Sequence, residues 1–294
     1  MLSKKLMSIF GLIATIILVA TVVLTRVYSR EEFSWFSLLM IPFVVGLLMS
    51  YVFGPQIDWW AFKRNPPDLP GFLGNLLLTH FPFYQNLSAV NKTRFRQRVA
   101  MYLEARGFFA QRGEEEGEVP LDMKTMVAAN VVMLTFGRKD FILKKFERIF
   151  IYLQAFPTPN HQYLHASEIN AEDECLIFSG EHLTLSFRQP DKYYNIMVHE
   201  YTQAFQLSYP NFDYPTFDDS IWGVWKKEQV IKYLGMPEEK IDLLGVSVNF
   251  FFKNPEKFKE LMPKGFENYQ TIFNLNPLQK GDPVIDKSIV EGVP

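Results

Sequence analysis

The hydrophobic positions of this chain fall into two regimes. In the first, charge is excluded over whole segments; in the second, apolar residues recur at helix or strand spacing. No charged residue lies between Lys5 and Arg26, and the intervening LMSIFGLIATIILVATVVLT has the length of a bilayer-crossing helix. A second uncharged run lies between Glu32 and Asp58 and includes SLLMIPFVVGLLMSYVFG. Pro42 inside it would kink a soluble helix but is tolerated in a membrane one. Trp35, Tyr51, Trp59 and Trp60 flank this run as interfacial aromatics do. The pattern predicts a transmembrane hairpin over residues 1–60 with spans at about 6–25 and 33–54. A Pro/Gly-dense linker over 61–74, a domain over 75–280 and a C-terminal tail over 281–294 follow.

Within the domain, Phe95, Val99, Tyr102 and Leu103 repeat at helical spacing and predict a helix over 91–106 with Gly107 as its stop. Leu121 to Thr135 is apolar on several faces and predicts a buried helix. RGEEEGE, from Arg112 to Glu118, reads as an exposed acidic turn between these two helices. RIFIYL (148–153) and HLTLSF (182–187) predict strands, the second by its clean alternation. Further helices are expected over 193–207, 226–234, 239–252 and 263–274. Few strands among many helices give an α+β domain with a small sheet.

Composition narrows the function classes. A net charge of −2 provides no basic excess to draw nucleic acid. The single cysteine, Cys175, cannot form an internal disulfide, so the fold does not depend on an oxidising compartment. A cleaved signal peptide is disfavoured, because no A-x-A-like site follows the first run and a second run arrives at once. Lys4 and Lys5 precede the first span and Lys63 and Arg64 follow the second, whereas Arg26 and Arg30 share the connection with Glu31 and Glu32. Positive-inside counting therefore places both termini, and the domain, in the cytoplasm. Arg94, Arg96 and Arg98 form either a solvated helix face or a contact for anionic headgroups.

The candidate chemistry lies in NIMVHEYTQAFQLSY, from Asn195 to Tyr209. In HExxH, residues i and i+4 of one helix face present two imidazoles to a metal while the glutamate serves as general base. Here His199 and Glu200 are present and Gln203 stands where the second histidine would be. A neutral amide oxygen is a poor ligand for zinc beside imidazole. Other candidates have plainer explanations. His161 and His165 have i, i+4 spacing, but Pro157 and Pro159 just before them suggest a loop. His182 opens the expected strand, Asp213, Asp218 and Asp219 fall in a turn-rich loop, and Cys175 reads as a buried apolar residue.

The order of several stretches carries a resemblance: LTFG at 134–137, RIFIYLQAF ending in Phe156-Pro157, LSF at 185–187, the NIMVHEYTQAF helix, and DLLGVSVNFFFKNPEKF at 242–258. From about Leu76 to Lys280 the chain resembles the Mlc titration factor A family, glucose-regulated zincin-type metallopeptidases. The resemblance implies a zincin-like domain, mostly helical with a small sheet, and zinc held by two histidines and a glutamate. It places His199 at the first zinc histidine, Glu200 at the catalytic carboxylate, Gln203 at the second histidine and Asn249 at the glutamate ligand. Asp242 matches an acidic residue of the same C-terminal helix. One of three protein ligands survives, which implies weak or absent zinc, because losing two direct ligands exceeds the 10 to 100-fold or so that disturbing their supporting shell costs. Three functional readings stay open: a non-catalytic protein binding a peptide or protein in the old groove, an active peptidase or aminopeptidase with an irregular metal site, and a membrane-anchored structural scaffold.

Overall fold

A computed structural model describes residues 2–27, 40–112, 115–222 and 226–291. The chain divides into two compact units, residues 1–67 and 68–294.

In the first unit, α1 (Leu2–Val27) has a mean hydropathy of 2.7 over Leu2–Val23, and among the described residues it is the one unbroken helix long and apolar enough to cross a membrane. The expected second span is shorter. Residues 33–39 lie outside the described part of the structure, and α2 (Met40–Val52) runs for 13 residues before a 75° bend into α3 (Gly54–Arg64). Gly54 and Pro55 give this break its cause, since a proline fits the first turn of a new helix but not the interior of an old one. By length and composition the bent pair counts as a span only if taken together. α1 and α2 pack antiparallel: Gly46 faces the Phe10 ring, Gly11 faces Leu47 and Gly54 faces Ser3. Small residues at these crossings let the backbones approach. Asp58 of α3 closes the arrangement by accepting hydrogen bonds from the Ser3 backbone N–H (2.8 Å) and Oγ (2.6 Å), in the first turn of α1.

The second unit starts with α4 (Gly71–His80), whose first turn falls in the stretch expected as linker, followed by the short α5 (Pro82–Gln85). α6 (Ala89–Ala105) begins under a Ser88 cap and buries Phe95, Val99 and Tyr102. β1 (Gly107–Arg112) and β2 (Glu115–Gly117) form an antiparallel pair where an acidic turn is expected, and Gly107 is the first residue of β1 rather than a stop. α7 (Leu121–Leu134) is buried from Thr125 to Leu134. β3 (Arg148–Tyr152), β4 (Ser167–Asn170) and β5 (Cys175–Ser179) complete a five-stranded sheet of order β2-β1-β3-β5-β4. Its central strands β1, β3 and β5 are parallel, and both edge strands run antiparallel to their neighbours.

The predicted strand at 182–187 is a helix, α8 (Gly180–Arg188). Ser179 caps it, accepting from the His182 N–H, and Leu183, Ser186 and Phe187 are buried at i, i+3, i+4 spacing. The period-2 alternation of HLTLSF is thus a coincidence of a short segment whose start signal is the serine before it. Beyond it come α9 (Ile196–Ser208), α10 (Lys227–Leu234), α11 (Leu243–Lys253), α12 (Pro255–Leu261), α13 (Pro263–Phe273) and α14 (Lys287–Glu291). α9 packs against α7, α11 and β4, with buried aromatic rings such as Phe251, Phe258 and Tyr269 filling the space beyond α11. Residues of the expected tail bond into this unit: Asn274 Nδ2 donates to the Asp286 carbonyl and the Ser88 N–H to the Gly281 carbonyl. This α+β arrangement is consistent with a metallopeptidase domain.

Candidate functional site

Two capped helices build the site. The Asn195 side chain starts α9 by accepting from the Met197 and Val198 N–H groups, and its Nδ2 donates to Asn130 Oδ1 of α7 at 2.8 Å. Asp242 starts α11 by accepting from the Leu244 and Gly245 N–H groups. One turn into each helix the chains come close: a β-carbon on Gly245 would lie 2.5 Å from His199 Nδ1. Only glycine admits the imidazole at that point.

His199 and Glu200 are 1% and 2% exposed. His199 Nδ1 shares a 2.7 Å hydrogen bond with the Tyr194 hydroxyl. Glu200 Oε1 accepts from Ser167 Oγ of the edge strand β4 at 2.7 Å. Burial, together with the charges of Asp242 and Glu168, pushes the Glu200 carboxyl up to about 8 against the pull of the Ser167 bond. Burial also holds the His199 imidazole below its usual value, with Asp242 opposing it. The Tyr194 phenol is driven well above its ordinary range by burial and by Asp242 and Glu200.

Asn249, 4% exposed, donates from Nδ2 to the Gly245 carbonyl (3.0 Å) and the Asn195 carbonyl (3.2 Å). Its amide nitrogen thus ties α11 to the start of α9. Gln203, one turn beyond His199, is half-buried. A cavity of about 110 Å³ reaches Asn249, Asn195 and Val198 between Phe83, Phe187 and Phe252, but His199 and Gln203 do not line it. Of the three positions that the resemblance assigns to zinc ligands, Asn249 alone lines this cavity. His199 is turned instead onto Gly245 and Tyr194.

Other candidates resolve into structure. His161 and His165 lie in a loop. His165 Nδ1 faces the Tyr163 carbonyl (2.9 Å), which only accepts, and Nε2 faces Glu168 (3.1 Å). Glu168 also accepts from Thr158 Oγ1 and Asn160 Nδ2, so it pins the loop to β4. His182 Nδ1 bonds Ser179 Oγ in the cap of α8, Asp218 caps a turn at Ser220, and Cys175 is buried. Tyr194, Ser167 and Gly245 were not singled out from the sequence. Gly245 had a signal, standing one helical turn before Asn249, and Tyr194 adjoins the α9 cap five residues before His199, whereas Ser167 meets the site only through folding.

The sequence profile of the glucose-regulated metallo-peptidase M90 family matches residues 58–208, from α3 through the end of α9. The chain belongs to this family. The match contains His199, Glu200 and Gln203 and ends before α11, which carries Asn249. Comparison with curated proteins gives no match. M90 metallopeptidases usually bind zinc, and the positions that the resemblance assigns to its ligands, His199, Gln203 and Asn249, do not fit one, because an imidazole and two neutral amides leave its charge uncompensated. Among the described residues no three His, Cys, Asp or Glu side chains are grouped to hold a metal.

Proposed function

We propose that this M90 protein is a membrane-anchored pseudopeptidase, which binds a peptide or protein beside the former metal centre without hydrolysing it. The carrying observation is the donor set at His199, Gln203 and Asn249, with Asn249 spent on joining α9 to α11. A zinc peptidase needs a metal-bound water as nucleophile and a carboxylate to take its proton. Glu200 remains, but it is enclosed and hydrogen-bonded to Ser167, a setting poorly suited to taking a proton from a nucleophile. The aromatic-walled cavity at Asn249 has room for an apolar side chain, which supports recognition in place of cleavage. Anchoring is supported by α1 and by the α2–α3 pair packed against it, read together as a two-span hairpin with the domain on the cytoplasmic side.

The test is elemental analysis of the purified full-length chain, with cleavage of a broad peptide mixture assayed in parallel on wild type and Glu200→Gln. Substoichiometric zinc and no cleavage are expected, with peptide capture the same in both. The double substitution Gln203→His with Asn249→Glu is expected to raise zinc retention. Stoichiometric zinc in the wild type together with cleavage abolished by Glu200→Gln would overturn the reading and establish a working irregular site.

A further inference from the structure

Helix α4 carries an unpartnered face where the chain enters the domain. Leu73 and Leu77 are fully buried, whereas Phe72 and Leu78 remain 61% and 50% exposed. At about 100° per residue, exposed Gly71, Phe72, Asn75, Leu78 and Thr79 fall within about a third of the helix circumference, opposite the two buried leucines. Single exposed apolar residues need no explanation. Two on one face, in this place in the chain, acquire one from covalent reach and charge.

The connection that leads from α3 into this unit is short. That helix ends at Arg64, and Leu69 is already buried in the core of the second unit. The five residue steps between them include Pro66 and Pro67, and at the polyproline rise of about 3.1 Å per residue they span about 16 Å. At the other end of this spacer, Lys63 lies 5.6 Å from the centre of the Trp59 ring and Arg64 5.4 Å from that of Trp60. Amphipathic aromatics with basic neighbours suit the headgroup level of a bilayer.

Charge points the same way. Residues 61–100 carry Lys63, Arg64, Lys92, Arg94, Arg96 and Arg98 against one acid, Asp68, in a chain whose net charge is −2. Arg98 is spent on the carbonyls of Thr135, Phe136 and Arg138, and Arg96 holds Asp68 at 2.7 Å while its side chain borders Gly74 of α4. Lys63, Arg64 and Lys92 alone leave this stretch net positive, and juxtamembrane basic residues are drawn to anionic leaflets by about 1 kcal/mol each.

We infer that the Phe72–Leu78 face of α4 rests on the headgroup layer of an anionic bilayer, holding the domain against the membrane that anchors it. This rests on the membrane-anchor reading, and the experiment separates the two. Full-length variants Ile16→Cys, Phe72→Cys, Leu78→Cys and Leu164→Cys, all at exposed sites, are labelled with an environment-sensitive fluorophore. Cys175 is buried and native in each. They are reconstituted in phosphatidylcholine vesicles with and without phosphatidylglycerol, using brominated acyl chains as quenchers. The expected result is loss of fluorescence at 16 in both lipids, loss at 72 and 78 that is larger with phosphatidylglycerol, and none at 164. Quenching at 16 with none at 72 and 78 overturns the docking and leaves the anchor standing. No quenching at 16 overturns the anchor and the docking with it. Equal quenching at 72 and 78 in both lipids overturns the part assigned to the basic residues.

Discussion

At the scale of single residues, the surroundings of His199 are set by close contacts from α11 and from the residue before the α9 cap. The absence of a side chain at Gly245 admits the His199 ring, whose Nδ1 lies 2.7 Å from Tyr194 Oη. Gly245→Ala should therefore act as overpacking against a buried imidazole, costing about 2 kcal/mol. In a domain of this size that lowers the melting temperature by about 4–8 °C. Tyr194→Phe should cost about 1–3 kcal/mol, since it strands a buried imidazole nitrogen. Because both substitutions act on the same ring, their effects should not add. Thermal unfolding of the singles and the double measures this, and strict additivity would show that Gly245 and Tyr194 do not share His199. A second buried group carries a pH dependence. Desolvation opposes ionisation of Glu168, but hydrogen bonds from His165, Thr158 and Asn160 outweigh it and hold the carboxyl below the usual glutamate value. A carboxyl whose folded value is depressed contributes stability above its unfolded value, near 4.3, and loses it as pH falls through the lower folded one. Glu168→Gln should thus be clearly less stable than wild type above about pH 5, with the gap narrowing below about pH 4. A gap independent of pH would assign the loss to packing alone.

At the scale of elements, what was legible in the sequence divides by the range of the forces that form each element. The helices α6, α7, α9 and α11 follow from apolar spacing and local caps, Ser88, Asn195 and Asp242 among them, and their ends fall within a few residues of expectation. The sheet was largely illegible. Only β3 has a recognisable run; β4 is four residues, SEIN, and β2 is three, EEG, and strands so short exist because neighbours offer them a ladder. α8 was misread because alternation over six residues outweighed the cap, although Ser179 two residues after Ile177 carries the helix signal. That account is testable: Ser179→Ala should cost about 1 kcal/mol, while Ser179→Thr or Ser179→Asp should retain most of the stability, measured by denaturant unfolding. An equal loss for all three would mean that the buried serine is required for its size and not for its capping oxygen. The site was half legible for the same reason. His199, Glu200 and Gln203 follow from spacing on one helix and Asn249 from the family resemblance, whereas Tyr194, just before the α9 cap, lies outside the helical spacing and Ser167 reaches the centre from a distant strand that no local pattern records.

At the scale of the whole chain, the proposed membrane hairpin and its charge pattern together predict the side of the membrane on which the domain would lie. Antiparallel packing of α1 and α2 puts the start of α1 beside the end of α2, and the Ser3–Asp58 hydrogen bonds fasten α3 to that same end of α1. Lys4 and Lys5 at one strand of the hairpin and Lys63 and Arg64 at the other are thereby gathered at one end, while Arg26 sits at the far end of α1. Basic residues near span ends are retained on the cytoplasmic side. The four gathered lysines and arginines therefore outvote the connection, whose own two arginines stand beside Glu31 and Glu32. A fusion after Pro294 should make a cytoplasm-competent fluorescent reporter active and an export-dependent phosphatase inactive. Replacing Lys4, Lys5, Lys63 and Arg64 with glutamine should weaken that preference, whereas replacing Arg26 and Arg30 should strengthen it. Phosphatase activity from the unaltered fusion would put the domain outside the cytoplasm, and an orientation indifferent to both sets of substitutions would remove charge as its cause.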